Sequence, residues 1–111
     1  MLKKTDKSTL IKAIFEIVKH IPKGRATSYG AIAKAIGYPN LSRFVGHTLA
    51  NCKSDEKIPA HRVVNSQGIL SAQGVFKSMQ QQLENEGIVI INNKIKNWSI
   101  IFWDPLNEIN I

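Results

Sequence analysis

Two short helical patterns separated by a glycine- and proline-containing turn constrain the fold of this chain more than any other feature. Ser28 is a good helix N-cap residue, and the apolar spacing after it predicts a helix over Tyr29–Ile36 that ends at Gly37. Tyr38-Pro39-Asn40 then makes a tight turn, and a second helix is predicted over about residues 41–51. Two short helices joined in this way are typical of a helix-turn-helix.

The second helix has one apolar and one polar face. Its apolar positions recur at helical spacing and are expected to enter the core: Leu41, Phe44, Val45, Thr48 and Leu49. The opposite face carries Arg43, Gly46, His47 and Ala50. This face would remain available to a ligand, as the second helix of a helix-turn-helix is in DNA-binding proteins.

The segments on either side of this pattern also carry signals of secondary structure. Residues 8–20 are predicted to form an amphipathic helix that Ser8 could cap and that Ile21-Pro22-Lys23-Gly24 ends. A short strand is expected after residue 60, followed by a turn at Ser66-Gln67-Gly68.

The C-terminal third is predicted to contain one helix and an apolar hairpin. The helix covers about Val75–Asn85, with Val75, Met79 and Leu83 on one face, and stops at Gly87. Ile88–Ile91 and Trp98–Trp103 are expected to be strands or extended packing segments, with a turn at Asn92-Asn93-Lys94 between them. The whole pattern predicts one α/β domain over residues 1–111, mostly helical, with a winged-helix-like helix-turn-helix.

The charge is concentrated in one half of the chain. The formal net charge is +7, and residues 1–62 hold twelve Lys and Arg against four acidic residues, whereas residues 63–111 hold three against four. A polyanion is therefore expected to bind the first half. On charge alone, a basic solvated surface is an equal alternative.

Cysteine content and hydropathy exclude several classes of protein. Cys52 is the only cysteine, which excludes an internal disulfide and a cysteine-rich zinc site. No uninterrupted apolar stretch of about 18 residues is present, and the lysine-containing N-terminus lacks the apolar region of a signal peptide. We expect a cytoplasmic protein without a metal or another cofactor.

The segment Ile58-Pro59-Ala60-His61-Arg62-Val63-Val64 is the most specific motif in the chain. It resembles the active-site signature of the O6-alkylguanine-DNA alkyltransferases, Ile-Pro-Cys-His-Arg-Val. Four further segments match that family's DNA-binding domain in order and spacing: Pro22-Lys23-Gly24, Thr27–Ala33, Ser42–Gly46 and Leu83–Gly87. In those enzymes a cysteine thiolate accepts the alkyl group, but the methyl side chain of Ala60 cannot act as a nucleophile. The chain therefore resembles the alkyltransferase-like proteins.

This resemblance implies a lesion-binding protein rather than an enzyme. Duplex DNA containing O6-alkylguanine would bind through its minor groove, and the lesion would be flipped into a pocket without losing its alkyl group. The bound complex would mark the site for nucleotide excision repair proteins, and the protein would act as a monomer.

The resemblance also assigns roles to residues on the helix-turn-helix. Arg43 would enter the base stack and fill the gap that the flipped nucleotide leaves. Tyr29 would press on the phosphate beside the target nucleotide and line the pocket. Thr27 and Ser28 could donate hydrogen bonds to phosphate, and Gly46 would let the DNA approach the helix closely.

The remaining roles concern the lesion pocket and its surroundings. Ala60, Val63 and Gln73 would complete the pocket with Tyr29, although the loop Ser71-Ala72-Gln73-Gly74 is more polar than the Tyr-Ser-Gly-type loop of active alkyltransferases. His61 and Glu86 match the histidine and glutamate of the enzymes' proton relay. Without a thiol they would be structural, with Glu86 orienting the imidazole, and Arg62 would bond to backbone carbonyls.

Two alternatives belong to other functional classes. A sequence-specific helix-turn-helix regulator would be a dimer on a palindromic site. A true alkyltransferase would need Cys52 as a substitute nucleophile, although no histidine adjoins Cys52 in the sequence.

Overall fold

The fold is mostly helical, with two very short sheets. A computed structural model describes residues 6–51, 58–70 and 76–109. Its helices are α1 (Lys7–Lys19), α2 (Tyr29–Ala35), α3 (Ser42–Ala50), α4 (Phe76–Asn85), α5 (Trp98–Ile101) and α6 (Pro105–Glu108). Its strands are β1 (Thr27–Ser28), β2 (Val63–Val64), β3 (Ile90–Ile91) and β4 (Lys94–Ile95), and a 3₁₀ turn covers Ala60–Arg62. None of the described helices is long and apolar enough to span a membrane.

The first helix is confirmed, but its cap is not the predicted one. Asp6 is the N-cap, and its carboxylate accepts a hydrogen bond of 2.9 Å from the backbone N–H of Thr9. Ser8 therefore lies inside α1, where its hydroxyl donates to the same carboxylate. A carboxylate satisfies a free N–H at a helix start and also interacts favourably with the positive end of the helix dipole, so Asp6 prevails over Ser8.

The helix-turn-helix is confirmed with nearly the predicted boundaries. Ser28 caps α2 by accepting a hydrogen bond of 3.0 Å from the N–H of Ala31. At the other end Gly37 has φ +92°, and the N–H groups of Gly37 and Tyr38 donate to the carbonyls of Lys34 and Ala33. This is a Schellman motif, which turns the chain directly into the linker before α3.

Two apolar clusters meet at the pairing of β1 with β2. The strands are parallel, with Thr27 opposite Val63 and Ser28 opposite Val64. Adjacent strand residues face opposite sides. Accordingly, Val63 packs with α1, α2 and α3 in one cluster, whereas Val64 packs with α4 and the β3–β4 hairpin in the other.

The predicted core positions of α3 lie in the first cluster. Val45, Thr48 and Leu49 are buried, and Leu41 and Phe44 are partly buried against them. The predicted α4 residues Met79 and Leu83 are buried in the second cluster. The periodicity of both helices therefore gave the correct inward face.

The C-terminal prediction was only partly right. A hairpin is present, but its second strand is Lys94–Ile95, and its two-residue turn is Asn92-Asn93 with φ +51° and +66°. Asparagine tolerates this left-handed conformation, which a tight hairpin turn requires. Trp98–Trp103 is not a strand: Trp98–Ile101 is α5, and only Phe102 bridges to Ala26.

The side chain of Trp98 explains why a helix replaces the predicted strand. Its indole Nε1–H donates a hydrogen bond of 3.1 Å to the carbonyl of Ser66, and its ring lies directly over Gly68. The helical turn at Trp98 also brings Phe102 under the indole, with ring centroids 5.3 Å apart. Such aromatic contacts add stability beyond the buried area.

We predict that Gly68→Ala destabilises the fold. Gly68 has φ +79°, and an added Cβ would lie 2.7 Å from Cδ2 of Trp98. Backbone strain and overpacking together should cost about 2–4 kcal/mol in the free energy of unfolding, measured by urea titration. Gly30→Ala is the matched control, because nothing lies within 4 Å of its added Cβ. Equal stability of the two variants would contradict this account of Gly68.

Candidate nucleic-acid interface

The exposed face of α3 is the one that the sequence predicted. Arg43, His47 and Ala50 are exposed, and Gly46 is half-buried. Within the described ranges, no carboxylate forms an ion pair with Arg43, so its charge is available to a ligand. The side chain of His47 lies 3.4 Å from the amide nitrogen of Asn51, one turn along the helix.

A cleft of about 350 Å³ lies beside this face. It brings together three predicted site residues, Tyr29, Arg43 and Gly46. The sequence did not identify the others that line it: Gly30, Ser42, Asn65 and Ser66. Asn65 and Ser66 directly follow β2. The sequence could have indicated both as site residues, because they and the 66–68 turn come immediately after the central motif.

Tyr29 and Gly46 lie close together in this first cleft. A Cβ built on Gly46 would lie 3.6 Å from Cδ1 of Tyr29, which is ordinary van der Waals contact. The tyrosine ring alone therefore leaves room for alanine at this position. Tyr29 also packs against the first apolar cluster, which holds the ring in a fixed position on α2.

Ala60 begins a tight turn that sets the conformation of the central motif. Pro59 has φ −80° and ψ 63°, and the N–H of Ala60 donates a hydrogen bond of 2.8 Å to the carbonyl of Ile58. These values define an inverse γ-turn. The N–H of Arg62 then bonds to the carbonyl of Pro59 at 2.9 Å, and the chain continues into β2.

The predicted lesion pocket is only partly described. Ala60 packs against the first apolar cluster, as Tyr29 does, and Val63 is 1% exposed within that cluster. Val63 is therefore a core residue of the cluster against which Ala60 packs. Gln73, the fourth predicted member, lies outside the described residues, as does Cys52.

Glu86 is the centre of a nearly buried polar network. Its carboxylate lies 2.7 Å from Nε2 of His61 and accepts hydrogen bonds from Arg62, the shortest also 2.7 Å. The backbone N–H of Gly24 donates to it as well, at 3.2 Å. The three charged or polar side chains are 9–15% exposed. The predicted contact of Glu86 with His61 is thus present.

Arg62 has a larger role than the sequence suggested. One guanidinium nitrogen donates to the carbonyl of Ile21 at 2.8 Å, as expected, but Nε and the other terminal nitrogen bind Glu86. The guanidinium fork suits such multiple bonding to a carboxylate. Gly24 was not predicted as a partner. Its φ of +83° turns its N–H towards Glu86, and this backbone conformation favours glycine.

The end of α4 positions this carboxylate. Glu86 follows the last helical residue, and Gly87 continues the chain with φ +91°. The N–H groups of Gly87 and Ile88 donate to the carbonyls of Glu84 and Leu83, which is a second Schellman motif. A helix stop that the sequence predicted from Gly87 therefore fixes Glu86 beneath the 3₁₀ turn.

Burial would raise the pKa of the Glu86 carboxyl, but hydrogen bonds outweigh that effect. Arg62, His61 and the N–H of Gly24 all bond to the carboxylate, and the charge of Arg62 adds to their effect. Together they lower its pKa from 4.5 to about 2. The network consequently holds a charged carboxylate over the whole neutral and mildly acidic range.

The predicted phosphate contact of the Thr27 side chain needs correction. Thr27 is 0% exposed, so its side chain cannot reach a phosphate, and its hydroxyl has no hydrogen-bond partner among the residues described. The pairing of β1 with β2 buries it beside Val63. Ser28 is 4% exposed, and its hydroxyl oxygen accepts the capping hydrogen bond of α2, which leaves the hydroxyl hydrogen to donate, so its phosphate contact stays a prediction.

Comparison with known proteins decides the family. The model of the 6-O-methylguanine DNA methyltransferase DNA-binding domain matches residues 9–88. The chain is similar to alkyltransferase-like protein 1 of Schizosaccharomyces pombe, with 30% identity over 99 residues that cover 83% of this chain and 92% of the relative. The chain belongs to the alkyltransferase-like proteins of this family.

Further similarities support the same assignment. A DNA base-flipping protein of Vibrio parahaemolyticus is 46% identical over 78 residues, covering 69% of this chain and 78% of the relative. A crystal structure of the S. pombe protein Atl1, in complex with damaged DNA containing O6-carboxymethylguanine, superposes with a TM-score of 0.82. The identity is 27%, and the match covers 89% of this chain and 98% of that chain. The predicted fold is therefore confirmed.

The network at Glu86 predicts a pH-dependent contribution to stability. A carboxyl with a lower pKa in the folded than in the unfolded chain stabilises the fold above its unfolded pKa, and this stabilisation is lost as the pH falls towards the folded pKa. The free energy of unfolding of wild type should therefore exceed that of Glu86→Gln by at most about 3 kcal/mol at pH 7. The difference should shrink between pH 4.5 and about 2, where Glu86 itself becomes protonated.

Urea unfolding of both proteins at pH 7 and at low pH measures this difference. Glu84→Gln is the matched control, because Glu84 is exposed on the same helix and bonds only to Gln80 among the described residues. Its stability should stay close to wild type at both pH values. A Glu86→Gln deficit that persists unchanged at low pH would show that the charge of Glu86 is not what stabilises the network.

Proposed function

We propose that this protein binds O6-alkylguanine in duplex DNA and flips the lesion out of the base stack without removing its alkyl group. The observation that carries this proposal is that the network of Glu86, His61 and Arg62 stands next to Ala60, a residue with no nucleophilic atom. The network holds the 3₁₀ turn in place, but the turn has no thiolate that could accept an alkyl group.

The surface formed by the start of α2 and the exposed face of α3 has the parts that base flipping requires. Extruding a nucleotide costs a few kcal/mol, because stacking and pairing are lost. Arg43 is exposed on α3 and lies on the first cleft with Tyr29, so a guanidinium inserted into the stack and an aromatic ring at the extruded nucleotide would act side by side. A planar cation can stack on bases and donate hydrogen bonds at once.

The relatives support the ligand and the mode of binding. One is named a DNA base-flipping protein, and another was solved with damaged DNA containing O6-carboxymethylguanine. This similarity to a protein that was solved with damaged DNA argues against a sequence-specific regulator. By the same resemblance, we propose that the bound protein marks the lesion for nucleotide excision repair. We further propose that it acts as a cytoplasmic monomer of one domain and needs no cofactor.

Binding should leave the lesion chemically intact. After incubation with duplex containing O6-methylguanine, the intact mass of the protein should be unchanged, because Ala60 cannot accept a methyl group. Mass spectrometry of the protein and nucleoside analysis of the DNA check both partners. S-methylcysteine at Cys52, the only cysteine, would instead identify an active alkyltransferase.

Arg43→Ala should abolish most of the preference for O6-methylguanine over guanine, since the vacated stack would no longer be filled. A 2-aminopurine at the target position should fluoresce less, because it is extruded less often. Lys34→Ala is the control, since it removes one exposed positive charge from α2. It should weaken both duplexes alike and lower the salt slope by at most about one unit.

These two variants separate base-stack insertion from phosphate binding. Equilibrium binding to matched duplexes, at several stated salt concentrations, gives the preference and the slope together. Arg43→Ala protein that keeps the full lesion preference while losing affinity uniformly would make Arg43 an ordinary phosphate contact, and the flipping mechanism would be wrong.

A further inference from the structure

A second cleft of about 590 Å³ lies between α2 and α5. Trp98 and Phe102 provide an aromatic wall, and Ala31, Lys34 and Pro39 lie along the opposite side. The aromatic wall belongs to the segment after residue 88, beyond the part of the chain that the family model matches. This cleft is therefore not built from the shared DNA-binding domain alone.

The aromatic wall is held in place before any ligand arrives. The indole of Trp98 lies on Gly68, donates to the carbonyl of Ser66 and packs at a tilt of 57° against Phe102. Trp98 nevertheless remains partly exposed. A fixed, partly exposed indole offers a flat apolar surface to a ligand at little cost in side-chain entropy.

The second cleft is continuous with the first. Gly30 and Ser66 line both, so a strand of DNA that crosses the cleft at Arg43 and Tyr29 would reach the second cleft as it continues. Lys34 is exposed at the second cleft, and no acidic side chain appears among the described residues that line it. The charge therefore suits a phosphate, and the aromatic wall suits the apolar face of a sugar.

We propose that the second cleft binds the sugar–phosphate backbone of the DNA strand that flanks the flipped nucleotide. A deoxyribose packs against Trp98 and Phe102, and the adjoining phosphate pairs with Lys34. The proposal rests on the proposed function for the presence of DNA on the first cleft. It adds a site between α2 and α5 that lengthens the contact along one strand.

Ser99→Glu tests the proposal with a closely matched control. Ser99 is exposed on α5 and lines the second cleft, whereas the adjacent Ile100 is 72% exposed and does not line it. Ser99→Glu and Ile100→Glu thus change the net charge equally, but only the first places a carboxylate against the proposed backbone site. Circular dichroism and urea unfolding should show that both variants remain folded.

Hydroxyl-radical footprinting reports directly on the proposed contact, because the radical attacks deoxyribose. In wild-type complexes, protection should extend from the target nucleotide along one strand. Ser99→Glu should lose the flanking part of that footprint and bind roughly tenfold more weakly than Ile100→Glu at low salt, for damaged and undamaged duplexes alike. The ratio between the two duplexes should stay at the wild-type value.

The outcomes distinguish this proposal from the function on which it rests. Wild-type protein without any preference for O6-methylguanine would contradict the proposed function, while footprints on an undamaged duplex would still test the second cleft. Normal lesion preference with identical footprints and affinities for Ser99→Glu and Ile100→Glu would overturn the second-cleft proposal alone. That result would leave the cleft to another ligand, such as an apolar peptide.

Discussion

The carboxylate of Glu86 joins three parts of the chain that are distant in sequence, and the arrangement of the site depends on it. His61 and Arg62 precede it by 25 and 24 residues, and Gly24 by 62. One charged group thereby ties the end of α4 to the 3₁₀ turn and to the link between α1 and β1. Removing a single partner from such a network leaves a nearly buried charge poorly compensated, which costs more than the net value of the intact pair.

The pairing of β1 with β2 extends this constraint to Tyr29 and Ala60. Thr27 lies opposite Val63, so Tyr29 at the start of α2 and Ala60 in the 3₁₀ turn are each within three residues of the same strand pair. Burial of Thr27 is unfavourable for a hydroxyl without a partner among the described residues, and the surrounding apolar contacts must offset it. The candidate interface is therefore built at the junction between the two apolar clusters.

Local sequence signals predicted the helices and much of the site, whereas contacts between distant segments were beyond them. Ser28, Gly37 and Gly87 carry their conformational preferences within a few residues, so the ends of α2 and α4 could be placed correctly. The exposed face of α3 followed from its periodicity. Thr27 was misassigned because its burial depends on pairing with a strand 36 positions later in the sequence.

The C-terminal segment shows the same limit more clearly. Tryptophan is common in strands, but the conformation of Trp98 depends on Gly68 and on the carbonyl of Ser66, about 30 residues earlier. No periodicity within residues 98–103 contains that information. The second cleft consequently could not be predicted, since its aromatic wall exists only when α5 forms.

For a protein that binds a lesion without reacting, the lifetime of the complex depends on dissociation alone. An alkyltransferase ends its encounter by forming a covalent bond, whereas under the proposed function nothing irreversible would follow the insertion of Arg43. Differences in affinity among related complexes arise mostly from dissociation rates. A preformed backbone contact at Trp98 and Lys34 would slow dissociation without affecting lesion choice, which the first cleft would determine. In the proposed mechanism, the Glu86 network and the second cleft would meet the same requirement, because both would prolong the flipped state of the complex.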